Sequence, residues 1–196
     1  MNYQGANPAS LYSARGQRKY LTPEERERFI AAALAYPRKD VGALCLTLAY
    51  TGCRISEALA LTAGNVERTS GFIAVRSLKK RKRALVIREI PVPSSLLEAI
   101  APHLRQTQEP IWRYSRSRAW QLIKQVMQLA HVQAGLHMTP KGLRHGFGIH
   151  AVRAGVPLNL VQRWLGHARM ETTAIYLQAM GSEEREIAAR MWATEL

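Results

Sequence analysis

The 196-residue sequence predicts a mainly α domain with one small antiparallel β-sheet, an α+β arrangement. Three observations carry that expectation: a capping box at Thr22 opening the first of several helix-period segments, two β-branched runs flanking a wholly basic tip, and three helical stretches beyond Pro140.

Taken in order, Thr22 is an N-cap, Pro23 suits the first helical position, and Glu25 stands three residues after the cap. The helix runs through Phe29, Ile30 and Leu34 until Pro37 stops it. Asp40 to Ala49 reads as a buried second helix, with Val41, Leu44, Cys45 and Leu48 on one apolar face. Thr51-Gly52 ends it and opens a third helix carrying Arg54 and Glu57. Phe72 to Val75 and Ala84 to Val92 predict a hairpin whose tip is Lys79-Lys80-Arg81-Lys82-Arg83. After Pro91 and Pro93, Ser94 or Ser95 can cap a helix over Leu96 to Leu104, and Ser115 or Ser117 one over Ala119 to Ala130. Of the last three helices, the first holds Arg144 and His150, the second runs from Leu158 to Leu165 with Gly166 as its stop, and the third carries Tyr176. Residues 1–19 show no apolar period and contain Arg15, Arg18 and Lys19, which predicts a flexible basic arm ahead of a domain over 20–180 and a helical tail over 181–196.

A chain of this length holds one well-buried domain. Its 28 Lys and Arg against 14 Asp and Glu give a formal charge of +14, the electrostatic footprint of a polyanion partner, with nucleic acid first among them. The two cysteines, Cys45 and Cys53, form no CxxC pair and show no metal-ligand spacing with the histidines, which argues against a zinc site or a disulfide scaffold. The start lacks the apolar segment of a signal peptide, and the longest apolar stretch is far shorter than the ~20 residues of a membrane helix. A cytoplasmic, nucleoid-associated protein is expected.

Arg54 and Glu57 stand three apart, so a carboxylate can fix the guanidinium in one orientation, although an ordinary surface pair has the same spacing. Gly52 before them would let a phosphate chain approach closely. Lys141 and Arg144 place cations on one face near a helix N-terminus, which suits either phosphate chemistry or simple positioning of DNA. His145 adds a protonatable donor. Tyr176, nine residues after His167, could be a core residue, and His167 could cap a helix end. Their combination with the arginines and the lysine-rich tip is more telling: a phenol attacking phosphorus needs the pentacoordinate charge neutralised and the leaving alkoxide protonated.

Thr51-Gly-Cys-Arg-Ile-Ser-Glu-Ala-Leu59, Gly142-Leu-Arg-His-Gly-Phe147, and Leu165-Gly-His167 followed by Thr172-Thr-Ala-Ile-Tyr176 resemble the signature boxes of the tyrosine recombinase, or phage integrase, family. The resemblance spans residues 20–180 and implies the family's catalytic domain with its DNA breaking-rejoining fold. It implies that Tyr176 attacks the scissile phosphate to give a 3′-phosphotyrosyl link. Arg54, Arg144, Lys141 and His167 would contact the phosphate and Glu57 would support Arg54. A hairpin lysine would act as general acid; Lys79 fits that position best, with Lys80 and Lys82 near it, and Lys80, Arg81, Lys82, Arg83 and His145 would contact DNA. No cofactor and no metal is implied. The implied partners are double-stranded DNA with specific recombination sites, further copies of the chain in a tetramer, and accessory DNA-bending proteins.

Two departures from the family pattern stand out. Lys141 occupies a position that is His in many members, which leaves removal of the Tyr176 proton without an obvious base. About twenty residues precede the capping box, where typical members carry a separate helical domain, and this resembles either the short recombinases that invert fimbrial promoter segments or a catalytic domain on its own. Type IB topoisomerase-like relaxation without synapsis and a non-cutting DNA-binding regulator are the rival readings.

Overall fold

The computed structural model describes residues 10–78, 86–105 and 108–179. The basic tip Lys79 to Arg83, the tail over 181–196 and the first nine residues of the expected arm lie outside the described residues.

Helix α1 (Pro23–Ala35) begins as its sequence dictates: the Thr22 hydroxyl accepts from Glu25 N, and the Glu25 carboxylate accepts from Thr22 N at 3.0 Å. Helix α2 (Lys39–Thr51) is buried from Val41 to Ala49 and packs against α1. It also meets α4 (Ser94–Ile100), α5 (Arg116–Leu129) and α6 (Pro140–Arg153), which makes it the axis of the main core. Full burial of Phe29, Leu44 and Leu48 contributes roughly 1.5–3 kcal/mol each. Gly52 closes α2 in the left-handed conformation at φ 60°, after which Arg54 caps the short α3 (Ile55–Leu59).

The sheet has three antiparallel strands, not the two of the expected hairpin: β1 (Val66–Glu67), β2 (Phe72–Arg76) and β3 (Ile87–Pro91), in that spatial order. Ile73 pairs with Ile90 and Val75 with Arg88, so the buried face of the sheet carries one arginine. Helix α4 is capped by Pro93, with Ser94 and Ser95 already inside its first turn, and Pro102 converts its expected end into a 3-10 turn over Ala101–His103. Ser115, not Ser117, caps α5 by accepting from Arg118 N.

Beyond α6 come α7 (Leu158–Leu165), ended by Gly166, and α8 (Glu171–Ala174). The expected third helix is thus a single α turn, and Tyr176 sits on the 3-10 segment Ile175–Ala179 that follows. A second, smaller cluster forms here from Phe147, Ile149, Val152, Val161, Leu165, Ile175 and Tyr176.

Leu11 belongs to that cluster with no exposed surface, which corrects the expected flexible arm for residues 10–19. Lys19 N donates to Leu11 O, and Arg18 Nη2 donates to Glu25 Oε1 at 2.6 Å. One buried leucine without a helical period was too weak a signal to read, yet it fixes this segment against α6.

Candidate active site

Arg54 and Glu57 meet as their spacing requires. Arg54 Nη1 lies 2.7 Å from Glu57 Oε1, while its backbone N–H donates to Glu57 Oε2 at 2.9 Å, so one carboxylate fixes both the guanidinium and the helix start. The same carboxylate accepts from Arg88 Nη2 at 2.8 Å. Burial would raise the Glu57 pKa, but Arg88 first and Arg54 after it hold it below the usual carboxylate value. Arg88 Nη1 also reaches Ser77 Oγ at 3.1 Å, which locks β3 to the end of β2.

Arg144 is almost completely buried. Its Nη1 donates to Gly52 O at 2.8 Å and its Nη2 to Leu165 O at 2.6 Å, so the guanidinium bridges the C-termini of α2 and α7. Burial foremost, then Arg54, lowers its pKa to about 10, which still leaves it charged at neutral pH. The left-handed turns at Gly52 and Gly166 make this geometry possible, because each frees a carbonyl next to the arginine. Gly52 does not offer a phosphate a bare backbone as its sequence position suggested: a Cβ there would stand 2.8 Å from Phe147 Cγ and 2.9 Å from Leu165 Cδ2. It is a packing glycine.

Tyr176 faces these groups from the C-terminal segment. Its ring lies over Gly148 of α6, and its hydroxyl is 3.3 Å from His145 Nδ1. Burial raises the phenol pKa to about 12, with Arg144 and Arg54 pulling the other way. The His167 ring is stacked on Tyr176 at 6.2 Å between centroids, its Nδ1 3.0 Å from Thr173 Oγ1. Burial, then Arg144 and Arg54, lowers the His167 pKa to about 3, and burial with Lys141 and Arg144 lowers that of His145 to about 4. Both imidazoles are therefore neutral at pH 7.

The fold brings Arg54, Glu57, Arg144, His145, His167 and Tyr176 together, while Lys141 lies exposed on α6, its charge felt by His145. Lys79, Lys80, Arg81, Lys82 and Arg83 lie outside the described residues. Arg88 and Thr173 went unread in the sequence. Arg88 had a signal: in a strand pairing Ile90 inward, the position two residues earlier also points inward, and an arginine there demands a buried acid. Among the described residues, no cluster of His, Cys, Asp or Glu stands ready to hold a metal ion.

The chain is similar to known proteins along most of its length. The chain is 30% identical over 184 residues to the tyrosine recombinase XerA of Pyrococcus furiosus, covering 88% of this chain and 61% of that one. A crystal structure of XerA recombinase superposes with a TM-score of 0.72 at 27% identity, over 88% of this chain and 64% of that chain. XerH site-specific recombinase bound to its difH substrate shares the fold, with a TM-score of 0.70 at 18% identity over 92% of this chain and 59% of that one. The chain thus spans about three-fifths of the length of these relatives. They are Xer proteins, and they lend no support to the likeness to fimbrial inverters expected from chain length. Residues 19–183, which enclose every residue of this site, match the phage integrase family, and to that family the chain belongs.

Proposed function

We propose that the chain is a tyrosine-type site-specific recombinase, which cuts and rejoins DNA through a 3′-phosphotyrosyl intermediate. The observation that carries the reading is the convergence of the Tyr176 hydroxyl, two neutral imidazoles and the carboxylate- and carbonyl-fixed guanidinium groups of Arg54 and Arg144. Tyr176 Oη attacks phosphorus, the bond to the 5′-oxygen breaks, and Arg54 and Arg144 neutralise the non-bridging oxygens. His167 donates a hydrogen bond to the phosphate, for which its Nε2–H is free to turn once Nδ1 accepts from Thr173. Glu57 keeps Arg54 in place, Lys141 contacts the phosphate from the exposed rim, and Lys79 protonates the leaving oxygen. Lys80, Arg81, Lys82 and Arg83 grip the DNA backbone. Because Tyr176 has no exposed surface, the scissile phosphate reaches its phenol only when the groups that cover it give way.

The partners in this reading are double-stranded DNA bearing recombination sites, further copies of the chain assembled as a tetramer on paired sites, and accessory bending proteins. The +14 charge supports the DNA partner, and binding should weaken steeply with salt as phosphate contacts release counterions. XerH, which shares the fold, is known bound to a DNA substrate.

The test is a nicked suicide duplex built from repeats flanking the gene. Wild-type protein should form a covalent adduct with the 3′ end, and Tyr176→Phe should form none while binding the duplex with little change. A Phe variant that still forms an adduct would place the nucleophile elsewhere.

A further inference from the structure

We propose that His145 is the base that takes the phenol proton as Tyr176 attacks, an assignment that rests on the recombinase reading above. The Tyr176 hydroxyl is hydrogen-bonded to His145 Nδ1 at 3.3 Å and, among the described residues, to no other group. Elimination leads to the same atom. Arg54 and Arg144 have no acceptor lone pair, and an ammonium such as that of Lys141 has donors only. His167 spends its Nδ1 on Thr173 and lies face-on to the Tyr176 ring, with 23° between the planes, so its edge is not directed at the hydroxyl. The His145 ring is tilted by 58° and presents an edge nitrogen to the phenol.

The surroundings keep that nitrogen available. Lys141 and Arg144 on its own helix and Lys19 from the N-terminal segment all disfavour a positive imidazole, as burial does, while Tyr176 and His167 face it from the C-terminal segment. His145 is therefore neutral at pH 7, and the assignment calls for its Nε2–H tautomer, with Nδ1 accepting from the phenol. A bound phosphodiester places negative charge among these same cations and offsets their repulsion of an imidazolium. Basicity thus rises at the moment substrate arrives.

The step balances. The Tyr176 O–H bond breaks and its proton passes to His145 Nδ1; the Oη–P bond forms and the P–O5′ bond breaks; the leaving oxygen is protonated by the hairpin lysine. On religation the proton returns from His145 to the departing phenol oxygen. The family position occupied by Lys141 then needs no base, because the base stands one helical turn further along the same helix.

The discriminating variant is His145→Asn, whose side-chain oxygen can keep the hydrogen bond but cannot take a proton. Single-turnover cleavage of the suicide duplex should fall by about 10²–10⁴-fold with DNA affinity unchanged. In His145→Ala, added imidazole should restore cleavage in proportion to its neutral fraction, a pH profile that a packing role would not produce. Nitrogen NMR of the wild-type chain should show His145 protonated at Nε2 only at neutral pH. The assignment is overturned by His145→Asn cleaving within a few-fold of a wild type that itself cleaves, by an imidazole-independent defect in His145→Ala, or by a proton found on Nδ1. A wild-type chain that forms no adduct overturns the recombinase reading, and the base with it.

Discussion

Around Arg54 and Arg88 a buried carboxylate cancels the charge that burial would otherwise expel, whereas the buried Tyr176 and the half-buried His145 and His167 lie beside cations and stay uncharged. The first region rests on the large core through α2 and α3; the second rests on the small cluster of α6, α7 and the C-terminal turn. The difference teaches how one site can serve two tasks. In the proposed reaction, transition-state charge needs donors that are already ionised and already aimed, while the proposed nucleophile and its base must exchange a proton and so are kept near neutrality. Arg144 belongs to both regions, since its guanidinium holds the carbonyls of Gly52 and Leu165 together.

The largest expected effect breaks the charged region at its working groups. Arg54→Ala and Arg144→Ala should each lower single-turnover cleavage by on the order of 10² or more, with a much smaller loss of DNA affinity, because in the proposed reaction both act on charge that develops in the transition state. Arg144→Ala should also lower Tm, since Leu165 O and Gly52 O each lose a donor. Cleavage within a few-fold of wild type in either variant would remove that arginine from the proposed chemistry.

Next comes Arg88, the buried partner of Glu57. Arg88→Met leaves a desolvated carboxylate with Arg54 as its remaining ion-pair partner, and a loss of about 3 kcal/mol in unfolding free energy is expected, at the lower end of the range for a broken buried pair. The double variant Arg88→Met, Glu57→Leu should regain much of that stability, as apolar groups of similar volume do, yet stay impaired in cleavage because Arg54 has lost its orienting carboxylate. Chemical denaturation of wild type, Arg88→Met and the double variant measures both changes. Equal stability of Arg88→Met and wild type would mean that the carboxylate is solvated and the region is not as dry as its geometry indicates.

This contrast also explains what the sequence could disclose. Helices α1, α2, α5, α6 and α7 were legible because Thr22, Ser115, the proline at 140, Gly52 and Gly166 mark their ends and their apolar periods are long. The strand pair at β1 was not, since Val66–Glu67 is too short to show alternation. The Arg54–Glu57 pair was readable as a local spacing, but the pairing of Glu57 with Arg88 spans 31 residues and depends on sheet register. His145 was visible as a protonatable donor beside Arg144, and the family resemblance implied a DNA contact for it; only the fold shows its Nδ1 at the phenol of Tyr176. Leu11 illustrates the same limit from the packing side.

The uncharged region should reveal itself by acid. His145 and His167 have folded pKa values lowered to about 4 and 3, against roughly 6.5 in the unfolded chain. Below pH 6.5 the unfolded state binds protons at these rings that the folded state does not, so stability is fully present above that pH and falls as acid is added, down through the folded values. The slope is about 1.4 kcal/mol per pH unit for each extra proton taken up on unfolding. Glu25, whose pKa the Arg18 pair and the Thr22 N–H hold down to about 2, adds its own loss only below the ordinary carboxylate value. Urea midpoints measured from pH 7 to pH 5 therefore report on the histidines, to which His137 and His150, whose pKa values burial also lowers, contribute. Replacing His145 and His167 by Gln should make that limb shallower, and an unchanged limb would show that these two rings are protonated in the folded state.

The smallest expected effect probes the seat of the nucleophile. A Cβ at Gly148 would stand 2.5 Å from Cε2 and 2.7 Å from Cε1 of Tyr176, so Gly148→Ala must displace the ring from α6. Overpacking of this kind costs about 1–3 kcal/mol, and the better helix propensity of Ala offsets up to about 1 kcal/mol of it. The net change in Tm should therefore be modest. The phenol tells more, because its pKa of about 12 comes first from burial, and a ring pushed outward should titrate closer to 10. Ultraviolet titration of the Tyr176 signal, identified by its loss in Tyr176→Phe, measures that shift directly. If the phenol of Gly148→Ala still titrates near 12 at unchanged Tm, the ring does not lie against Gly148, and the protected half of the comparison loses its structural basis.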